Sequence, residues 1–146
     1  MELDGEAMMQ EYNHIYKLVN EAYHFVAKRL GLTDSVFDIL YAIYVLGEGC
    51  TQKDICGYSG SSKQTIQSSM RKLERQGFLR LERGGGKGLR IFATPEGKAL
   101  IEEKIVPVVE AEKRALLDHV DTMMWGLAMD VLRANAVHLR EEFGKI

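Results

Sequence analysis

The strongest constraint on the fold is a glycine run between two short segments in which apolar and polar residues alternate. Residues 84–88 hold four glycines in five positions. Leu79 and Leu81 alternate with charged residues before the run, and Leu89 and Ile91 flank Arg90 after it. Period-two alternation on both sides of a glycine tip is typical of an antiparallel β-hairpin. Because glycine lacks a Cβ, it accepts the positive φ angles that such a tip requires.

A phosphate-binding loop is the other structure that a glycine run of this kind suggests. Phosphate loops and dinucleotide-binding fingerprints both lead from their glycines into a helix. Here Lys87 is followed by Gly88 and then by strand residues. The sequence therefore favours a hairpin tip over a nucleotide site.

Helical periodicity fills most of the remaining chain. Apolar residues recur at three- and four-residue steps from about residue 6 to residue 30, and Gly31 ends that helix. A second helix begins after Thr33 or Asp34, and its many apolar residues predict burial on most sides.

Two short helices are predicted next, joined by a tight turn at residues 57–60. Thr51 caps the first, with Asp54 three residues later in a near capping box. Ser61 is predicted to cap the second, with Gln64 at its third position, and that helix runs to about Gln76. Its predicted buried stripe consists of Ile66, Met70 and Leu73.

Helix resumes after the hairpin at the sequence TPEG, residues 94–97. Threonine is a good N-cap and proline fits the first helical position. We expect one long helix to about Val120, kinked at Pro107, and a last helix from the cap Asp121 to about Phe143.

Charge is strongly segregated along the chain, although the net charge is only −2. Residues 51–94 hold nine basic and three acidic residues, a net charge of +6. The remainder holds ten basic and eighteen acidic residues, a net charge of −8. A basic middle segment between acidic ends is typical of a polyanion-binding region on a frame that does not bind.

The order helix, turn, capped helix and basic hairpin predicts a winged helix–turn–helix, with the hairpin as its wing. The exposed face of the second short helix would enter the major groove of DNA, and the wing the minor groove. The predicted DNA contacts are Ser62, Lys63, Gln64, Thr65, Gln67, Ser68, Arg71, Lys72, Arg83, Lys87 and Arg90.

Three stretches resemble the MarR family of bacterial transcriptional regulators: LTDSVFDILYAI, TQKDICGYSGSSKQTIQSSMRKLERQGFLRLER and RIFATPEGKALIEE. Together they cover about residues 32–103. The resemblance implies a homodimer joined through its N- and C-terminal helices and a pseudo-palindromic operator. It also implies that a small ligand or oxidation can release the DNA.

The wing departs from the family pattern. Family wings usually carry an Asp-x-Arg signature in which the acid orients the arginine. Arg90 occupies the arginine position, but no acid lies just before it. The resemblance therefore implies that Arg90 contacts the minor groove, and we expect Arg83 and Lys87 to make secondary contacts.

The predicted fold is mainly α (α+β), a winged helix–turn–helix with a two-stranded wing and flanking dimerisation helices. We expect a single domain over residues 1–146, with DNA binding at 33–97 and dimerisation at 6–31 and 98–143. Expected partners are double-stranded DNA, a second copy and a small-molecule effector, with no membrane, metal or cofactor. No nucleophile–base pattern indicates an enzyme, and no signal peptide is predicted, so we expect a cytoplasmic regulator, most simply a repressor.

Two alternatives remain open from the sequence. One is a winged-helix module that binds protein rather than DNA. The other is a thiol-based redox sensor, for which Cys50 is the candidate exposed thiol, while Cys56 is expected in the core. His14, His24, His119 and His138 show no metal-ligand spacing.

Overall fold

The computed structural model describes residues 4–84 and 88–146 and is mainly helical, with one small antiparallel sheet. This confirms the predicted fold class. The elements in chain order are α1 (Gly5–Arg29), α2 (Asp34–Leu46), β1 (Cys50–Thr51), α3 (Gln52–Tyr58), α4 (Lys63–Arg75), β2 (Leu79–Arg83), β3 (Leu89–Ala93), α5 (Pro95–Lys104), α6 (Val106–Leu117) and α7 (Thr122–Phe143). The chain divides into two compact units after Pro107.

Most of the predicted helix caps are confirmed. Thr33, Thr51, Thr94 and Asp121 are N-caps whose side chains accept hydrogen bonds from the first turns of α2, α3, α5 and α7. The capping box of α3 is complete: the Thr51 hydroxyl accepts from Asp54 N at 3.1 Å, and the Asp54 carboxylate accepts from Thr51 N at 2.8 Å. Short polar side chains therefore fix where these helices begin.

The predicted cap of α4 is wrong by one residue. Ser62, not Ser61, is the N-cap, and its hydroxyl accepts from Thr65 N at 3.2 Å. Ser61 instead donates its hydroxyl to the carboxylate of Asp38 on α2, at 3.1 Å. The α3 helix also continues to Tyr58, which moves the turn towards α4.

The sheet has three strands rather than the two of the predicted hairpin. The hairpin of β2 and β3 is confirmed, with Leu81 opposite Ile91. The two-residue strand β1 pairs with the other edge of β3, placing Cys50 opposite Ile91. Two residues are too few to produce an alternating sequence pattern, so β1 could not be predicted from periodicity.

The long helix predicted after residue 97 is two helices. The α5 helix ends at Lys104 with Ile105 as its C-cap, and α6 begins at Val106. Pro107 lies in the first turn of α6, where its missing N–H has no intrahelical partner to lose. The proline therefore starts a new helix rather than kinking a continuous one.

The core of the first unit lies where α2, α3 and α4 meet the sheet. Each of the three helices and β3 contributes side chains that are almost inaccessible to solvent: Ile39, Leu40, Ile55, Ile66, Met70 and Ile91. One face of α4 is buried in this core, and it is the face of the predicted apolar stripe.

A close contact joins the hairpin to α5. The Thr94 hydroxyl donates to the Gly77 carbonyl at 2.6 Å, and Thr94 N donates to the Phe78 carbonyl at 3.0 Å. A Cβ on Gly97 would lie 1.9 Å from the Phe78 oxygen, which no side chain tolerates. The TPEG sequence thus fits a helix start pressed against the end of α4 and its following turn.

The second unit consists of most of α6 and of α7. No residue of α7 is buried. Its large exposed apolar side chains are Met123, Met124, Trp125, Leu127, Val131, Leu132, Val137 and Phe143. Within the described part of the chain, no helix has the length and hydropathy to cross a bilayer.

Candidate nucleic-acid interface

The α4 helix is buried on one face and exposed on the other. Ile66, Met70 and Leu73 are at most 2 % exposed, which confirms the predicted stripe. The predicted contacts on α4 and at its cap are all exposed: Ser62, Lys63, Gln64, Thr65, Gln67, Ser68, Arg71 and Lys72. The structure therefore brings these eight side chains together on and around one helix surface.

Hydroxyl groups at the start of α4 already have partners. The Ser62 and Thr65 hydroxyls lie 2.9 Å apart, and Ser62 also caps the helix. These two side chains therefore shape the helix start as well as lining the exposed face. The glutamines at positions 64 and 67 extend from the same surface.

A second hydroxyl pair anchors α4 to α2. The Ser35 and Ser69 hydroxyls lie 2.7 Å apart, and Ser35 is buried at the start of α2. Neither serine was predicted to matter. A single serine in an amphipathic helix carries no sequence signal for a contact 34 residues away.

Further along α4, Arg71 forms an ion pair with Glu74, with Nη1 3.1 Å from the carboxylate oxygen. The pair is exposed and joins residues one helical turn apart, so its contribution to the stability of the fold is small, about 0.3–0.5 kcal/mol. Arg71 can exchange this partner for a phosphate at little cost.

Arg90 on the wing is held by a main-chain group. Its Nη1 donates to the carbonyl of Gly49 at 3.0 Å. A Cβ on Gly84 would lie 2.8 Å from Nε of Arg90, so the first glycine of the run leaves room for the arginine stem. The Gly49 carbonyl thus orients the arginine without the acid of the family signature, and no sequence pattern could have identified it.

Two other basic residues of the hairpin have different surroundings. Arg83 is exposed at the end of β2, opposite Leu89. Arg80 is paired with Glu82, and its guanidinium lies 4.7 Å from the centroid of the Phe92 ring. The predicted contact Lys87 lies outside the described residues.

A groove of about 720 Å³ lies between α3, the start of α4 and the wing. Gln52 and Lys63 both line the groove, and the Gln52 amide donates to the Lys63 carbonyl at 3.2 Å. Lys53 lines the groove beside Lys63, although it was not among the predicted contacts.

The hydrogen bond from Thr51 N lowers the pKa of the Asp54 carboxyl, and the nearby positive charges of Lys53 and Arg90 lower it further.

The expectation that Cys50 is exposed is wrong. Cys50 is buried in β1, and burial raises the pKa of its thiol to about 11, with the charge of Asp54 adding to the effect. Cys56, expected in the core, is only half-buried and lines the groove. A thiol with so high a pKa is a poor nucleophile near neutral pH, which disfavours redox sensing at Cys50.

The family model described as the MarR family matches residues 30–88. The chain is 26% identical over 116 residues to the uncharacterized HTH-type transcriptional regulator YwoH of Bacillus subtilis, covering 74% of this chain and 84% of that protein.

Solved structures share the fold at low identity. NMB1585, a MarR family regulator from Neisseria meningitidis, superposes with a TM-score of 0.80 at 21% identity, covering 95% of this chain and 97% of that one. BpsR of Bordetella bronchiseptica, whose DNA binding is regulated by 6-hydroxynicotinic acid, gives a TM-score of 0.65 at 18% identity, covering 86% and 98%. Residues 30–88 therefore match the MarR family, and the chain shares the winged helix–turn–helix fold of solved MarR family regulators.

Proposed function

We propose that the chain is a cytoplasmic repressor that binds a pseudo-palindromic operator as a homodimer and releases it when a small molecule binds. The observation that carries this proposal is the two-faced α4 helix, with its apolar stripe fully buried and its polar, basic face exposed. A helix presented in this way fits the major groove of B-DNA.

The side chains of α4 suit distinct parts of a DNA site. Gln64 and Gln67 can form paired hydrogen bonds with adenine, and Lys63 can bind guanine or a phosphate. Arg71 and Lys72 are suited to the phosphate backbone, which supplies most of the affinity. The N-terminus of α4 adds main-chain N–H groups that favour a phosphate.

The wing would add a minor-groove contact. Arg90 extends from β3 with its guanidinium held by the Gly49 carbonyl, so its position is fixed before DNA binds. A narrow minor groove has a strongly negative potential that favours arginine. Arg83 and Lys87 would contribute secondary contacts to the adjacent backbone.

The terminal helices support a dimer. The α1 helix exposes Ile15, Leu18 and Phe25, each at least half accessible, and α7 buries none of its residues. Apolar surface of this extent commonly marks a contact with a partner, most simply a second copy. The proposed dimerisation regions are residues 6–31 and 98–143, with residues 33–97 binding DNA.

A homodimer would place its two α4 helices in successive major grooves, about 34 Å apart. A small molecule that prefers another spacing by a few kcal/mol would release the DNA. The regulation of BpsR by 6-hydroxynicotinic acid supports a ligand response of this kind in a protein of the same fold.

Selection of bound duplexes from random DNA by the full-length chain tests the proposal. We expect an enriched sequence with two-fold symmetry and half-sites about one helical turn apart. Gln64→Ala should change the preferred base at one position of each half-site. The matched control Gln76→Ala, at the exposed C-terminal end of α4, should leave the preference unchanged. Enrichment of no sequence, as a protein-binding module would give, contradicts the proposal.

A further inference from the structure

Four aromatic rings form a cluster at the junction of α1, α2 and α3 in the first unit: Tyr23, Phe37, Tyr41 and Tyr58, here called the aromatic cluster. Neighbouring ring centroids lie 5.7–6.5 Å apart, with Tyr41 and Tyr58 stacked and Tyr23 edge-on to Tyr41. Phe37 is buried, whereas Tyr23 and Tyr58 are 39% and 48% exposed. The cluster is therefore closed at its base and open at its rim.

The open side of the cluster lines a cavity. A pocket of about 260 Å³ is bounded by all four rings, Asp38 and the turn before α4. A second pocket of about 280 Å³ adjoins it and shares Tyr23, Asp38 and Gly60. Together the two adjoining pockets offer space for a small organic molecule rather than for a macromolecule.

The charge of the cavity wall is negative. Asp38 lies between the rings and the turn, and burial raises the pKa of its carboxyl, with the charge of Asp34 adding to the effect. Asp34 is engaged by His24, whose Nδ1 lies 2.9 and 3.0 Å from its carboxylate oxygens. Among the described residues that line the two pockets, none is a lysine or an arginine.

We propose that this cavity binds a small organic cation, with the aromatic cluster against its apolar and cationic surface and Asp38 as its counter-ion. The inference rests on the ligand response in the proposed function and assigns its chemical class. Aromatic faces attract ammonium groups, most strongly where water is excluded. A half-buried carboxylate whose burial disfavours its charge gains most from a positive partner.

The same carboxylate connects the cavity to the DNA-binding helix. The Asp38 carboxylate accepts a hydrogen bond from the hydroxyl of Ser61. Ser61 directly precedes Ser62, the N-cap of α4. A cation at Asp38 would neutralise the carboxylate to which Ser61 donates, so the bound and free states would differ in the contact that holds the turn before α4. Differential contacts of this kind are what couples a ligand site to a distant one.

Isothermal titration calorimetry of the full chain tests the ligand class without DNA. The probes are phenyltrimethylammonium and, as an anion of similar shape, 4-methylbenzoate. We expect the cation to bind at least tenfold more tightly than the anion. Asp38→Asn, which keeps an acceptor for Ser61, should weaken cation binding at least tenfold. Tyr58→Leu, at a half-exposed position, should weaken it several-fold. Glu102→Gln, an exposed carboxylate on α5, is the matched control and should have no effect.

Binding of the anion as tightly as the cation, or equal cation affinity in Asp38→Asn, would overturn the assignment, as would the absence of heat with either probe at about 1 mM. A separate arm measures operator affinity with and without the cation. Operator affinity should fall when the cation is added to the unaltered chain, and it should change less in the Ser61→Ala variant. A chain that binds the cation but no DNA would contradict only the proposed function. An operator affinity that the bound cation leaves unchanged would overturn the connection through Ser61.

Discussion

At the scale of single residues, Arg90 of the wing is exposed, and its guanidinium is held by a main-chain carbonyl. Its position in the wing makes Arg90 the proposed minor-groove contact. The group that fixes its guanidinium is the carbonyl of Gly49, more than forty residues earlier in the chain. A main-chain acceptor leaves no mark in the sequence, so the pose of Arg90 required the structure.

Arg90→Ala should weaken DNA binding about tenfold on preferred and unrelated duplexes alike, because a minor-groove or phosphate contact carries little base preference. Fluorescence anisotropy with both duplexes measures this. Arg80→Ala is the matched control on the same hairpin. Its guanidinium is occupied by Glu82 and Phe92, so we expect less than a twofold change. A larger loss in Arg80→Ala than in Arg90→Ala would reverse the assignment.

Cys50 should be inert in the folded chain. With a pKa of about 11, only about one thiol in 10⁴ is ionised at pH 7. Iodoacetamide at that pH should label Cys56 first and reach Cys50 only in denaturant, as peptide mass mapping will record. The thiolate fraction, and with it the labelling of Cys50, should rise as pH approaches 11. Equal labelling of Cys50 in folded and unfolded chains would restore the redox-sensing alternative.

At the scale of elements, local signals predicted most of the fold. Caps at Thr33, Thr51, Thr94 and Asp121 and the apolar stripe of α4 were sufficient, because each is set by neighbours in sequence. The features that sequence analysis missed depend on contacts between residues far apart in the chain, or on a choice between two neighbouring serines as the helix cap. The β1 strand pairs with β3, about forty residues later, and Ser61, the predicted cap, donates instead to Asp38 on α2.

Gly97→Ala should destabilise the chain by about 2–3 kcal/mol, since the new methyl group has to displace the Phe78 carbonyl at the start of α5. Urea denaturation followed by circular dichroism measures the change. Gly57→Ala is the matched control, because a Cβ there meets nothing within 4 Å. It should leave stability unchanged or raise it by up to about 1 kcal/mol. Equal effects of the two variants would show that the contact at Gly97 is relaxed without cost.

At the scale of the whole molecule, charge and apolar surface are segregated. Residues 51–94 carry a net charge of +6 and residues outside them −8. Exposed basic side chains lie on α4 and the wing, whereas α1 and α7 expose large apolar groups. The distribution of charge along the sequence predicted the basic segment. The aromatic cluster beside Asp38 was not predicted, since its rings come from three separate helices.

The most direct test is the affinity of the full chain for its selected operator, measured by anisotropy as salt rises from about 50 to about 200 mM. If two copies together neutralise about six or more phosphates, the affinity should fall by about 10³-fold or more, linearly on logarithmic axes. No binding at low salt, or an affinity that salt does not change, would contradict the claim that this basic surface binds DNA.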